Sequence, residues 1–331
     1  MLNVVLMITS LLTPLKRAPL APIRLASSSS RRSAIAMALD DMGKVSPHLQ
    51  PPPEAPTIPR PNGLLVVHKP QNWTSFDVVG RVRGVLEKHL KSHGHKFGRR
   101  SRLKVGHGGT LDPMATGLLI LGVGDGTKTM AEYLSGPKAY VARAQLGAET
   151  DTQDAEGVET KAAPFEHVTL EQLEAAAAGL TGDILQRPPI YSALRKDGKR
   201  LYELARKGEI KPEEVEKRPV TVHRLAVSGL DATTGEFDLE VRCSGGTYVR
   251  TLIEDIGREV GSAAHMTALE RTRHGPFCSE AEAALAKANG DVGAARYVLP
   301  VVQEEFANPA RLMEAVDEAG SALGEVRDVK R

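Results

Sequence analysis

A glycine-rich bend followed directly by an apolar run is the feature that most constrains this chain. Residues 105–117 read VGHGGTLDPMATG, with three glycines in four positions and Asp112 directly before Pro113. Glycine lets a backbone turn tightly, and proline biases the preceding residue towards an extended conformation. The run 118–123 that follows has the length and composition of a buried strand. An acid at the mouth of a buried strand suits catalysis, although Asp beside Gly and Pro is also ordinary turn chemistry.

Composition excludes several classes of protein. The 331 residues can form one large domain or two ordinary ones, and 41% hydrophobic with 25% charged residues is typical of a globular protein. Cys243 and Cys278 form no C-x-x-C pair, which argues against a disulfide framework or a zinc ribbon and fits a reducing compartment. No apolar run approaches the roughly 18 residues of a membrane helix, so we expect no membrane partner.

The N-terminal region has the composition of a targeting segment. Residues 1–39 contain no acidic residue, five basic residues and a run of four serines, which predicts an organelle transit peptide for a plastid or a mitochondrion. The apolar opening could instead be a signal peptide in a bipartite targeting sequence. An ordinary disordered N-terminus on a cytoplasmic or nuclear protein is the alternative. Residues 46–61 are proline-rich and predict a linker.

Two segments concentrate positive charge although the formal net charge is only +2. Residues 81–104 hold nine Lys or Arg against Glu87 alone, and residues 187–207 hold seven against two acids. Such clusters are typical of phosphate-backbone binding, and solvated charged loops are the alternative. The first segment also contains three histidines, but with no Cys and one acid nearby a solvated loop is favoured over a metal site.

Two further segments invite comparison with ligand-binding motifs. Residues 122–129 read GVGDGTKT, in which Thr127 separates Gly126 from Lys128 and breaks the ending of a phosphate loop, so we predict no nucleotide site there. The acidic turn at 151–156 could ligate a metal, but its spacing is not that of a calcium loop.

Hydrophobic periodicity predicts a chain that mixes strands and helices. We predict further strands at 63–68, 139–146, 220–227, 237–243 and 264–273. We predict helices at 170–180 and 248–260, a short one ending near Leu134, one from residue 201, one from about Phe76 under a Thr74 or Ser75 cap, and helical sequence beyond residue 279.

Several motifs, taken together and in order, resemble the TruB family of pseudouridine synthases. They are the bend at 105–117, PPIYSAL at 188–194 and CSGGTYVR at 243–250, with KG at 207–208, RPV at 218–220 and RHGPF at 273–277. The resemblance covers about 62–277. It implies an α+β fold, with a mixed, largely antiparallel sheet, flanking helices and an RNA-binding cleft. It also implies isomerisation of uridine to pseudouridine at position 55 in the T loop of tRNA, with no cofactor or metal.

The resemblance assigns three residues to catalysis. Asp112 is the catalytic aspartate, and it could attack the sugar, attack the base or stabilise a charged sugar. Arg250 would keep Asp112 ionised and aimed through a bidentate pair. Tyr140 would pack on the target base and accept or relay a ring proton.

Three more residues are assigned to substrate binding. His107 would occupy the place of the flipped base, and Tyr248 and Leu269 would line the pocket. The expected partner is the tRNA T stem-loop, with other structured RNA left open, and we expect a monomer. The resulting division is a targeting segment and linker at 1–61, a catalytic domain at 62–277 and a short helical extension at 278–331.

Two departures from the family pattern and two other functions remain open. The basic insert at about 87–104 is longer than in the compact bacterial pattern, and the chain after Phe277 does not resemble a complete RNA-binding domain. The alternatives to an isomerase are an RNA-binding protein with a vestigial site and an unrelated nucleotide-dependent enzyme.

Overall fold

The computed structural model describes residues 58–288 and 296–328. The predicted targeting segment and most of the predicted linker lie outside the described residues. In the part that is described, no helix has both the length and the apolar character needed to cross a membrane.

One mixed β-sheet organises the fold. The strands of the chain are β1 (Gly63–Lys69), β2 (Val105–His107), β3 (Thr116–Val123), β4 (Lys138–Leu146), β5 (Ala148–Thr150), β6 (Glu159–Ala162), β7 (Gly182–Gln186), β8 (Arg195–Lys196), β9 (Lys199–Arg200), β10 (Arg218–Ser228), β11 (Glu236–Cys243), β12 (Ala264–His274), β13 (Phe277–Cys278) and β14 (Arg296–Tyr297). Within the described residues, ten of them form the main sheet, along the path β1-β3-β12-β4-β11-β10-β7. Neighbours on this path are antiparallel except β3 and β12, which are parallel. The short strand β2 pairs with β3, and β5–β6 and β8–β9 form separate hairpins.

Helices flank this sheet. They are α1 (Ser75–Ser92), α2 (Met130–Ser135), α3 (Leu170–Gly179), α4 (Leu201–Arg206), α5 (Val249–Glu259), α6 (Glu280–Ala288) and α7 (Pro309–Asp328). Short 3-10 helices lie at Gly124–Thr129, Pro212–Glu214 and Gln303–Ala307. The predicted α+β class, with a largely antiparallel sheet, is confirmed.

Helix α1 illustrates how local sequence positions the elements near the bend. Thr74 caps it and forms a capping box with Asp77, which satisfies backbone donors that would otherwise lack partners. In its apolar stripe Val78, Val82 and Leu86 are fully buried and Val85 is partly buried. The sequence predicted the stripe from its periodicity and offered Thr74 as one of two caps, and these features fix the N-terminal end of α1 next to the bend.

The apolar core covers both faces of β1 and β3 and one face of β4, β10 and β11. Helices α3 and α5 pack on β4, β10, β11 and β12 through residues such as Leu173 and Leu252. Helices α1 and α7 pack on β1 and β3 through residues such as Leu86 and Val316. Strand β11 alternates buried and less buried positions, as its period-two pattern requires. A small separate cluster holds the segment around α4 together.

The sequence-predicted strands and helices are all present, with ends that differ by at most two residues. The short strands β2, β5–β9, β13 and β14 were not predicted, because two to five residues carry too little periodicity to be recognised. In the segment 122–129, Gly126 packs so closely on the backbone of Gly63 that a Cβ would collide with it. Gly126 therefore serves the contact with β1. The division of the chain at residue 277 stays a prediction.

Candidate active site

A buried arginine joins the bend to β3. Arg271, on β12, is 1% exposed, and its Nε donates to the carbonyl oxygen of Leu118 at 2.6 Å. Its Nη2 donates to the carbonyl oxygen of Gly109 at 3.3 Å. At Gly117 φ is +100°, and a Cβ there would collide with the backbone of Arg271, so only glycine allows this close approach. One guanidinium therefore connects Gly109, inside the bend, to Leu118, near the start of β3.

Two more side chains fix the backbone on either side of Asp112. The Ser75 hydroxyl accepts from the amide of Leu111 at 2.8 Å and donates to the carbonyl of the same residue at 3.2 Å. The buried Lys69 Nζ donates to the carbonyl of Pro113 at 3.1 Å. Asp112 is thus held between two anchored neighbours, so its side chain starts from a fixed backbone position.

The bend opens onto a cavity of about 540 Å³. All six residues that the sequence assigned to the site line this cavity: His107, Asp112, Tyr140, Tyr248, Arg250 and Leu269. Its volume lies in the range of small-molecule sites. The structure therefore brings together residues that are up to 162 positions apart in the chain.

Asp112 and Arg250 are in direct contact. The distance from Arg250 Nε to Asp112 Oδ2 is 3.0 Å, and the Asp112 side chain keeps 33% exposure while Arg250 is almost completely buried. The predicted bidentate geometry is wrong. Arg250 Nη1 donates to the carbonyl of Thr152 at 2.6 Å, and Nη2 donates to that of Tyr191 at 3.1 Å. Nη1 and Nη2 are each directed at a backbone carbonyl, and the ion pair with Asp112 is made at Nε.

Arg250 also meets a second carboxylate. Its Nη1 lies 3.8 Å from Oδ2 of the buried Asp154. A buried guanidinium is costly unless it is paired, and here two carboxylates and two carbonyls surround it. The Nε–H does not point at a hydrogen-bond acceptor among the described residues, so the contact with Asp112 is chiefly ionic. The arrangement fixes the cation and leaves one face of the Asp112 carboxylate towards the cavity.

Tyr140 is in the neutral form at neutral pH. Burial raises the pKa of its phenol to about 12, and the neighbouring Arg271 offsets only part of this rise. A phenol with a raised pKa stays protonated at pH 7. The side chain can therefore stack on a base and donate a hydrogen bond, but it is poorly prepared to accept a proton.

Tyr248 and the start of α5 are held by a glutamine. The amide of Tyr248 donates to Oε1 of Gln186 at 2.7 Å, and Nε2 of Gln186 donates to the carbonyl of Tyr248 at 3.0 Å. Burial raises the pKa of the Tyr248 phenol. Because Tyr248 is the N-cap of α5, this clamp also places Arg250, two residues later, at the cavity.

His107 and Leu269 complete the wall. His107 ends β2, and burial, followed by the nearby Arg271 and Arg200, lowers the pKa of its imidazole. Its buried Nδ1 has no hydrogen-bond partner among the described residues. Leu269, on β12, is 8% exposed. A neutral ring and an apolar side chain thus face the cavity on the side of the bend.

Comparison with known proteins identifies the family. Residues 95–249 match the model of the TruB family pseudouridylate synthase N-terminal domain, and residues 250–293 match that of the tRNA pseudouridylate synthase B C-terminal domain. The tRNA pseudouridine synthase B of Mycolicibacterium paratuberculosis is 45% identical over 219 residues, which are 66% of this chain and 69% of the relative. The chain belongs to the TruB family. The resemblance read from the motifs is therefore confirmed.

Other relatives give the extent of the match. Human pseudouridylate synthase TRUB1 is 42% identical over 224 residues, which are 67% of this chain and 63% of the human protein. The chain thus spans less than two thirds of the length of this relative. Among solved structures, a Cbf5-Nop10-Gar1 complex has a chain that is 24% identical with a TM-score of 0.48, covering 78% of this chain and 62% of that one.

Sequence reasoning missed several residues of this TruB-family site. Arg271 lies two positions after Leu269 on the same strand, and the two-residue period of a strand could have placed both on one face. Lys69 and Ser75 gave no comparable signal, because a lysine ending a strand and a serine starting a helix are common. Gln186 gave none either.

The acidic turn contributes to the TruB-family site through its side chains. Asp151 accepts a hydrogen bond from the Tyr191 hydroxyl at 3.3 Å, and Asp154 accepts from the hydroxyl of Thr152 at 2.5 Å and faces Arg250. The described residues contain no group of three or more His, Cys, Asp or Glu side chains placed to hold a metal ion. In this structure, the turn positions Arg250.

Proposed function

We propose that this protein is a tRNA pseudouridine synthase that isomerises the uridine at position 55 in the T loop. The observation that carries the proposal is the ion pair of Asp112 and Arg250 at the wall of a cavity large enough for one nucleotide. Membership of the TruB family and the name of the human relative support the reaction, and the name of the mycobacterial relative supports tRNA as the substrate.

The reaction requires three changes and no net addition of atoms. The bond between uracil N1 and the ribose breaks, the freed base turns, and a bond forms between its C5 and the same ribose carbon. The proton on C5 leaves, and N1 gains one. The Asp112 carboxylate can form a covalent intermediate with sugar or base, or stabilise a charged sugar. Arg250 supports all three routes, because its positive charge, 3.0 Å from Asp112 Oδ2, holds the carboxylate at the cavity wall.

The neutral Tyr140 fits stacking and hydrogen-bond donation to the uracil better than proton abstraction. A ring held at the buried end of the cavity would keep the freed base close to the sugar while it turns. Its pKa of about 12 makes a phenolate base too scarce to contribute strongly in the free protein. We therefore assign Tyr140 to holding the base and assign proton transfer to other groups.

Base flipping gives a role to the other assigned residues that line the cavity, His107, Tyr248 and Leu269. Extruding a stacked nucleotide costs a few kcal/mol, which contacts to the flipped base and the backbone offset. We propose that neutral His107 occupies the vacated place in the RNA, because stacking needs no charge on the imidazole. Leu269 and Tyr248 would then pack against the extruded nucleotide, and the cations around the cavity would face its phosphates.

Replacing the acid tests the proposed function. With Asp112→Asn, single-turnover isomerisation of a T stem-loop RNA should become undetectable, while affinity for the RNA stays near that of the wild type. Asp125→Asn is the matched control, since Asp125 is an exposed acid on a 3-10 helix and pairs with Lys128. Wild-type turnover by Asp112→Asn would rule the mechanism out. RNA binding by a wild-type protein that never forms pseudouridine would instead indicate a binding protein with a vestigial site.

We further propose that the protein acts as a monomer in a plastid or a mitochondrion. The localisation rests on the acid-free, basic composition of residues 1–39. Mapping pseudouridine in organelle and cytosolic tRNAs, with and without the protein, tests it directly. Light scattering of the full chain measures the oligomeric state.

A further inference from the structure

The basic insert presents a cluster of exposed cations on the surface. We define the insert patch as the exposed cations that border the loop after α1: Lys88, Lys91, Lys96, Arg99, Arg100 and Lys104. No ion pair joins any of them to a carboxylate of the described residues. The single acid of the segment, Glu87, does not neutralise the patch. Its carboxylate accepts from the amide of Leu103 at 2.9 Å and pairs with Arg102 at 3.4 Å. The patch therefore presents positive charge that is not neutralised by the protein.

Apolar side chains anchor the insert to the body of the protein. Leu103 is 5% exposed and Phe97 is partly buried, and both pack with the core cluster beneath α1. The guanidinium of Arg60 lies 4.8 Å from the centre of the Phe97 ring. His95 Nε2 contacts the carbonyl of Ile58 at 2.7 Å, and its Nδ1 accepts from Arg60 at 3.4 Å. One neutral tautomer satisfies both contacts, with the proton on Nε2.

The tip of the insert is a turn with its own hydrogen bonds. The amide of Gly98 donates to the Ser101 hydroxyl at 2.8 Å, and the amide of Ser101 donates to the carbonyl of Gly98 at 3.1 Å. Arg99 and Arg100 are the two central residues of this turn, and both are exposed. The loop is already ordered, with its apolar residues packed inside and its arginines outside. Binding a ligand through these arginines therefore costs little loop entropy.

The insert leads directly into the candidate active site. Lys104 is followed by β2, and the last residue of β2 is His107, at the cavity wall. Three residues of strand span roughly 10 Å, so Lys104 lies roughly that far from the cavity wall. An RNA whose base enters the cavity would therefore have phosphates near the edge of the patch. Of the polymers that present regularly spaced negative charge, the RNA substrate is the one that the cavity brings to this surface.

We propose that the insert patch binds the phosphodiester backbone of the substrate RNA outside the loop that carries the target uridine. This inference rests on the proposed function for the identity of the RNA. It adds a second contact that would make a complete tRNA a better ligand than its isolated T stem-loop. The contact is electrostatic and reads no base, so it should raise affinity for tRNAs of different sequence alike.

Charge reversal at the tip tests this proposal. Affinity is measured by direct titration of an unmodified tRNA transcript at several salt concentrations, with Arg99→Glu/Arg100→Glu and the milder Arg99→Gln/Arg100→Gln. Arg143→Glu/Arg224→Glu is the matched control, because both arginines are exposed and already pair with carboxylates, and the net charge changes equally. Each phosphate contact contributes a slope of about 0.9 in log K against log salt. Two lost contacts should lower the slope by about 2 and weaken tRNA binding at least tenfold at about 0.1 M salt.

The outcomes separate this proposal from the proposed function. The tip variants should lose affinity for tRNA while the control keeps it, and the loss for an isolated T stem-loop should be smaller. Equal affinity and salt slope in tip variants and control would overturn the proposal, as would an equal loss on both RNAs. The binding measurement does not require turnover. A wild-type protein that forms no pseudouridine would contradict the proposed function, and the affinities of the tip variants for tRNA could still be compared with that of the control. Preferential loss of binding to anionic vesicles, with tRNA binding intact, would also overturn it.

Discussion

Removing the guanidinium of Arg271 should loosen the bend that carries Asp112. Arg271→Met replaces the arginine by an unbranched apolar side chain and removes both hydrogen bonds that join Leu118 to Gly109. A hydrogen bond from a charged donor contributes about 1.5–3 kcal/mol, and a buried carbonyl left without a partner costs about 1–3 kcal/mol. Burial lowers the pKa of Arg271, which shows that burying its charge is unfavourable. Removing that charge should therefore raise the free energy of unfolding and offset part of the loss.

The hydrogen bonds should outweigh the relief of burial. Two orphaned carbonyls in a site that is 1% exposed cannot reach water without moving the bend. We expect Arg271→Met to lower the free energy of unfolding by about 2–4 kcal/mol, which is large against the 5–15 kcal/mol of a typical domain. Arg271→Lys can reach one of the two carbonyls and should lose about half as much. The isomerisation rate should fall in the same order, because Asp112 lies between the two anchors.

Urea unfolding of the full chain, with the slope m compared between variants, measures this effect. Arg143→Met, an exposed arginine on the neighbouring strand β4, is the control and should change the free energy of unfolding by less than about 1 kcal/mol. If Arg271→Met unfolds within about 0.5 kcal/mol of the wild type with unchanged m, the bend does not depend on this clamp and the reasoning is refuted.

Four further predictions follow from single contacts. Ser75→Ala should reduce the isomerisation rate more than the affinity for RNA, because it frees Leu111 beside Asp112; equal effects on both would contradict this. Tyr140→Phe should keep RNA affinity within about threefold, because the ring still stacks, while the rate falls by about 10²-fold or more, and a wild-type rate would exclude hydrogen-bond donation. Thr74→Ala should cost about 1 kcal/mol in chemical denaturation through loss of the α1 cap, and no loss would contradict the role of the capping box. Burial lowers the pKa of Lys69 and that of Lys138 to about 8, below the value of 10.5 in the unfolded chain, so the unfolded chain binds more protons and the free energy of unfolding should rise from pH 8 to 9 by up to about 1 kcal/mol per lysine. Thermal unfolding at both pH values checks the sign, and Lys138→Met should roughly halve the rise.

The sequence predicted the elements of the fold better than their contacts. Alternation in β11 and the 3.6-residue stripe of α1 are local patterns, and both were read correctly. The geometry around Arg250 could not be read, because its partners at Thr152 and Tyr191 come from loops 98 and 59 residues away. Loop carbonyls that point into a site leave no mark on the sequence, since every residue has one.

The six assigned site residues show a similar division. Their grouping followed from motifs in register, and the structure places them around one cavity. Their electrostatic state did not follow, because the raised pKa of Tyr140 depends on its burial in the folded chain. Arginine is rarely buried unless it is paired, so a strand pattern alone could not have predicted a fully buried Arg271.

The buried cations of this site connect its stability to its chemistry. Lys69, Lys138, Arg250 and Arg271 each donate to at least two backbone carbonyls, so each holds loop segments that would otherwise be free to move. The last three also line the cavity, with Arg200, against the single carboxylate of Asp112. A cavity lined by four cations and one acid has a positive potential, which attracts a phosphate-bearing substrate. Lys69 and Arg271 therefore fix the bend. Arg250 holds neighbouring loop carbonyls and pairs with Asp112, and Lys138 adds its charge to the cavity that the polyanion enters.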